Sequence, residues 1–370
     1  MLQSNGVREV GRYVRAVVYV GVVGTLGLLS LGASAAGAQS SGQAAAHVTV
    51  RRLEGNPIVA QNPGRRIGTN VQGPSLIRVP EWLPNPLGRY YLYFADHKGT
   101  YIRLAYADEL AGPWKIYDPG TLQIEQSHFR TEPAPVPDQV QKQVALGSWA
   151  PRQVEGVPER LESATKPHIA SPDVHVREDR REIVMYFHGL EDFGFQRTRV
   201  ATSEDGIHFR AREPLLARTY LRAFQYDGQW YSMAMPGIFY RSRDGISRFE
   251  ASDLRLFPNT MRHSALLKRG DTLYVFWSRV GDTPEHILLT TVDISGDWST
   301  WTASDPVDVL YPLEPWEGAD RPMVPSVRNA INVRVNQLRD PAIFQEEGRT
   351  YLLYSVAGEA GIAIAEIEIH

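Results

Sequence analysis

The sequence predicts an all-β fold, a five-bladed β-propeller closed by its N-terminal strand, and three observations carry that expectation. One unit recurs five times: an apolar strand, a tight polar turn, an aromatic-rich strand, a loop, and a third strand ending near Ser-x-Asp-Gly or Gly-x-Trp. The copies start near Pro74-Ser75-Leu76, Pro172-Asp173-Val174, Leu221-Arg222-Ala223, Arg262-His263-Ser264 and Arg339-Asp340-Pro341. Units of ~40–50 residues holding several short strands are the mark of propeller blades. The last copy stops one strand short of a blade, and a strand-like segment at the other end of the chain is available to complete it.

In chain order, residues 1–38 stand apart. Arg8, Arg12 and Arg15 precede an apolar run from Ala16 to Leu31, and Ala36-Gly37-Ala38 offers a small-residue cleavage site. This pattern predicts an export signal, a propeller over residues 39–370, a secreted or periplasmic location, and no stable membrane anchor after cleavage; the run is short for a membrane span. Next, His47–Leu53 leads to Asn56-Pro57-Ile58-Val59, which echoes Glu213-Pro214-Leu215-Leu216 at the outer edge of the second blade. Pairing this segment with Ile362–Ile369 removes an open sheet edge and closes the ring. Asp205-Gly206, Asp227-Gly228 and Asp244-Gly245 read as tight hairpin turns rather than site residues. Residues 118–170 and 302–338 form two long connections rich in Pro, Gly and polar residues, with isolated Trp149 and Trp316. Connections of that length in a compact domain are more often functional walls than idle loops.

Composition narrows the chemistry. The 370 residues contain no cysteine, which excludes disulfides and thiolate catalysis. The net charge of -3, about -5 without residues 1–38, argues against a nucleic-acid partner. Neither a Gly-rich phosphate loop nor a nucleotide fingerprint occurs, so no cofactor is expected. His97, His168, His175 and His188 form no His-x-x-x-His motif, and no catalytic transition metal is expected, although oxygen ligands in the channel would admit a structural Ca²⁺ or Na⁺.

Propeller topology sorts the polar residues by face. Starts of the innermost strands and the loops after each second strand open on one face, the channel mouth. The first group holds Asp173, His263, Asp340, Ser75 and Arg222. The loops add Asp96 and His97, then His188, Glu191 and Asp192, then Arg279, Asp282 and Glu285, and finally Glu359. Carboxylates and imidazoles converging beside aromatic rings suit sugar chemistry, because glycosidic cleavage needs one group to activate water and one to protonate the leaving oxygen. Candidate substrate-binding residues are Asp96, His97, His188, Glu191, Arg222, Arg262, Arg279 and Trp316, with an oligosaccharide or polysaccharide as the expected partner.

Arg339-Asp340-Pro341-Ala342-Ile343-Phe344, the following Gly348–Ser355 strand, and Ser171-Pro172-Asp173-Val174 resemble the five-bladed glycoside hydrolases of families 43, 32, 117 and 130 over nearly all of residues 47–370. The resemblance implies an exo-acting, inverting glycoside hydrolase, with inner-strand carboxylates at Asp173 and Asp340 as the candidate base and its partner. Two departures stand out. The first blade opens with Gly73-Pro74-Ser75 and the third with Leu221-Arg222, so the acid is not assignable by position. Family 117 uses a His acid, which points to His263; Glu285 and Glu191 are the carboxylate alternatives. A non-catalytic carbohydrate-binding propeller is the competing expectation, and Arg222, Arg262, Arg279 and Arg339 keep a phosphorolytic site open.

Overall fold

The computed structural model describes residues 46–149 and 154–370; the expected export signal lies outside them. Five antiparallel sheets follow one another along the chain. Blade 1 is Gln72–Arg78, Tyr90–Ala95, Tyr101–Ala107 and Lys115–Gln123. Blade 2 is Ile169–Arg177, Glu182–Asp192, Phe195–Ser203 and Arg210–Ala211. Blade 3 is Arg222–Tyr226, Gln229–Ala234, Ile238–Ser242 and Glu250–Ala251. Blade 4 is Met261–Arg269, Thr272–Arg279, Ile287–Asp293 and Thr302–Ala303, with Val307–Leu310 added beside its third strand. Blade 5 is Arg339–Glu346, Arg349–Val356 and Gly361–Ile369, completed by Val48–Arg52 and Val59–Ala60.

The period-2 alternation of the second strands explains the packing. In Tyr90–Ala95, Tyr91, Tyr93 and Ala95 enter the core shared with blade 2, while Tyr90, Leu92 and Phe94 enter the core shared with blade 5. Both faces of that strand are therefore apolar. Five such layers, one at each junction between successive blades, make up the core. At the Asp227-Gly228 turn both residues have positive φ, 47° and 70°, the conformation a two-residue hairpin of this hand requires. Among the described residues no helix is long and apolar enough to cross a membrane.

Closure is as the sequence predicts. Val48 pairs with Ile369 and Arg52 with Ala365, so the first and last described strands share one sheet. Arg52 also grips Glu317, Nε to Oε1 at 2.8 Å and Nη2 to Oε2 at 2.9 Å. Glu317 is fully buried, and it also accepts from the Tyr354 hydroxyl and the amides of Leu313 and Glu314. Removing residues 46–60 is expected to cost the edge strand and about 3–5 kcal/mol for the stranded carboxylate. Urea denaturation checks this, with Arg52→Met isolating the ion-pair part; an unchanged midpoint in the truncated chain would refute it.

Candidate functional site

Four of the five innermost strands begin with a bulge or a left-handed residue, and this detail positions the site. Register breaks fall between Gln72 and Ser75, Ala170 and Asp173, Met261 and Ser264, and Arg339 and Ala342. Gly73, Ser171 and Asp340 thus occupy one position, each with positive φ (64°, 51° and 48°), and Tyr220 (56°) precedes Arg222 by the same two residues. Left-handed backbone at non-glycine residues costs on the order of 1–3 kcal/mol and clusters at functional sites. Asp173 is not at this level. It matches Ser75 and Ala342, two residues further down its strand, on the same face but roughly 6–7 Å deeper.

The mouth of the channel holds a cavity of about 320 Å³ lined by His97, Tyr220, Arg262 and His263, with Arg197, Arg218 and Arg328 among its other walls. Tyr220 lies on His263, ring centroids 3.8 Å apart and 30° between planes. Nδ1 of His263 pairs with Oδ1 of Asp340, which is itself buried and accepts from the Ser355 hydroxyl at 3.0 Å. His97 repeats the arrangement: its Nδ1 is 3.1 Å from Oε1 of buried Glu359. The two rings are 6.4 Å apart. Each imidazole thus has a carboxylate behind one nitrogen, leaving Nε2 as the other.

Below these pairs lies a charge-balanced layer. Glu285 sits 3.3 Å from both Arg262 and Arg339 and accepts from the Ser278 hydroxyl at 2.8 Å. Arg339 Nη1 reaches Glu359 at 2.9 Å, and Asn70 donates to the same carboxylate at 2.7 Å. Buried ions survive only when paired and hydrogen-bonded in this way. The arginines and His97 hold the Glu359 carboxyl well below the usual carboxylate range, although burial opposes them. Burial pushes His263, His168 and His188 well below the usual histidine range, with nearby cationic groups adding to it. His97 is also lowered by burial, but Glu359 pulls it back up. Burial likewise brings Lys98, 3.4 Å from His168, down to about 8.

The structure therefore brings His97, Arg262 and His263 to one cavity with Asp340 directly behind. It does not bring the other candidates there. Asp173 lines a second cavity of about 510 Å³ deeper in the channel, bonded to His175 (2.7 Å) and the Ala223 amide (2.8 Å). Arg222 lines that cavity too, donating to the Ser264 and Pro172 carbonyls. Glu285 is fully buried between its two arginines and does not line the mouth cavity. His188 is buried under Tyr220, ring centroids 4.6 Å apart. Glu191 pairs with Arg199 and Arg279 with Asp282, both at 2.8 Å, while Asp96 accepts from the Lys98 amide. Trp316 packs on the core between blades 4 and 5, drawn there because its neighbour Glu317 is anchored by Arg52. The two long connections do meet over the mouth: Ser163 donates to Asn329 at 2.9 Å and Asn332 to the Gly156 carbonyl at 2.7 Å.

Residues the sequence did not single out are Tyr220, Arg197, Arg218 and Arg328. Three of them lie in connections between strands, where no periodicity marks them. Among the described residues no group of three or more His, Asp or Glu is placed to share a metal ion.

No family model matches the chain. Uncharacterized protein R118 of Acanthamoeba polyphaga mimivirus is 34% identical over 324 residues, 80% of this chain and 83% of that protein. Among solved structures, a putative glycoside hydrolase from Bacteroides ovatus superposes with a TM-score of 0.55 at 11% identity, covering 86% of this chain and 96% of that one. A structure from family 130, mannoside phosphorylases that include hydrolases targeting β-1,2 mannosidic linkages in Candida mannan, gives 0.54 at 9% identity over 86% and 93%. An exo-β-1,3-galactanase from Phanerochaete chrysosporium with bound β-1,3-galactotriose gives 0.50 at 11% over 87% of this chain and 64% of that one. These likenesses establish the five-bladed fold that glycoside hydrolases also use.

Proposed function

We propose, from the premise that this chain and uncharacterized protein R118 of Acanthamoeba polyphaga mimivirus belong to one family, that it is a secreted or periplasmic glycoside hydrolase that removes terminal sugars with inversion. The observation that carries this reading is the pair of carboxylate-backed imidazoles, Asp340–His263 and Glu359–His97, facing one cavity with rings 6.4 Å apart. His263, held neutral by burial, takes a proton from water through Nε2 while Asp340 orients it and stabilises the imidazolium that forms. The water oxygen bonds to the anomeric carbon as the glycosidic C–O bond breaks. His97, in the imidazolium form that Glu359 supports against burial, delivers its proton to the leaving oxygen, and the proton gained by His263 restores the pair after release. Groups held apart with room for a water favour inversion. A cavity of about 320 Å³ suits a chain end rather than a chain middle, and the galactanase of the same fold acts in that manner on its own substrate.

A second reading, a carbohydrate-binding propeller without catalysis, is favoured by one observation: no Asp or Glu is among the residues lining the cavity. Incubation with a panel of nitrophenyl glycosides and oligosaccharides separates the two. Release of monosaccharide supports hydrolysis, whereas saturable sugar binding without release supports the binding module. Export is tested independently. The mature protein is expected to begin near Gln39 and to be recovered outside the cytoplasm by intact-mass analysis; a full-length cytoplasmic chain would overturn that part.

A further inference from the structure

The mouth cavity is cationic, although the chain as a whole is net acidic. Arg197, Arg218, Arg262 and Arg328 line it together with His97 and His263, in a chain whose net charge is -3. Among neighbouring arginines, Arg199 meets Glu191, and Arg262 and Arg339 share Glu285. Arg197 and Arg218 break this pattern. Arg197 donates to the Gln196 carbonyl and stacks 3.5 Å over Phe195, and among the described residues neither arginine has an ion pair. They lie close enough for their like charges to oppose each other, lowering the proton affinity of Arg197 beyond the effect of burial. Arg197 is half-buried and Arg218 exposed, so two guanidinium groups with no carboxylate of their own face one cavity, where an anion would find both.

We infer that this cavity holds the oxyanion group of an acidic saccharide, a carboxylate or a sulfate or phosphate ester on the terminal sugar, between Arg197 and Arg218. The inference rests on the cavity being the sugar site proposed above. Guanidinium groups match the planar or forked geometry of such anions with paired N–H donors. The remaining wall is built for the sugar: Phe195, 42% exposed, offers a flat apolar face, while Gln196, Thr219 and Asn329 offer neutral polar groups for hydroxyls. Free inorganic phosphate shares the oxyanion chemistry and lacks any use for that face.

Titration calorimetry on the full chain tests the assignment without depending on turnover. Glucuronate and galacturonate are compared with glucose, galactose, the two methyl esters, and inorganic phosphate and sulfate alone. The expected result is at least a tenfold preference for the acids over their esters and neutral sugars, lost in Arg218→Gln and Arg197→Gln and kept in Arg243→Gln, a surface change on blade 3. Sulfated and phosphorylated monosaccharides extend the panel, and a tenfold preference for either over its parent sugar supports the proposal equally. Equal affinity for every acidic and neutral sugar overturns it. Binding of phosphate alone, with no selectivity among sugars, also overturns it and assigns a free anion instead. Acid selectivity without hydrolysis would leave this inference standing and remove the hydrolase reading, whereas hydrolysis of neutral glycosides without acid selectivity would do the reverse.

Discussion

Replacing Asp340 by Asn should lower kcat by about 10³–10⁴ while leaving the thermal midpoint nearly unchanged. An amide keeps the shape of the carboxylate, tolerates the left-handed backbone at this position (φ 48°), and can still accept from the Ser355 hydroxyl. It cannot stabilise the imidazolium that forms on His263, and a carboxylate that orients and stabilises a catalytic imidazole is worth about that factor. His263→Gln should fall as far, and the two changes together should cost little more than either alone, because they act as one unit. Steady-state rates on a substrate that wild type turns over, with melting curves alongside, decide the matter. Near-wild-type rates in both variants would contradict the assignment. A loss in Asp173→Asn as large as in Asp340→Asn would place the chemistry deeper in the channel.

Mild acid should destabilise this fold steeply. His168, His188 and His263 are buried, and burial pushes each well below the usual histidine range. In the unfolded chain they titrate near pH 6.5. Below that pH the unfolded state takes up protons that the folded state refuses, so the stability they confer is fully present above ~6.5 and is lost as pH falls. Each contributes about 1.4 kcal/mol per pH unit, and three together about 4 kcal/mol per pH unit, comparable with a whole domain's margin. Glu359, also depressed, acts in the same direction but only below ~4.5, outside this window. Urea midpoints measured from pH 7 to 5 should fall sharply, and His188→Phe, which keeps a ring against Tyr220, should reduce the slope by about a third. A flat profile would show that these imidazoles are accessible to protons in the folded state.

Blade number, blade boundaries and ring closure were legible in the sequence because they depend on period-2 alternation and on a missing edge, both of which are local patterns. Glu317 shows where that legibility ends. It lies in a Pro-rich connection that reads as surface, yet Arg52, 265 residues away, buries it. The site was legible by face and not by depth. Asp173 and Asp340 both stand beside proline at an inner-strand start, and only the bulge register shows that Ser171, rather than Asp173, matches Asp340. Likewise Glu285 reads as an accessible loop acid until Arg262 and Arg339 close around it. The cationic wall escaped notice because Arg197, Arg218 and Arg328 belong to different segments that meet only when blades 2 and 3 and the long fourth connection are folded.

The most direct measurement follows the anomeric proton of the released sugar by NMR during digestion of the best oligosaccharide from the panel. A terminal monosaccharide should appear first in the configuration opposite to that of the cleaved bond, and His263→Gln and Asp340→Asn should abolish its release. Saturable sugar binding with no cleavage across the panel, or undiminished release by both variants, would contradict catalysis by the imidazole pair.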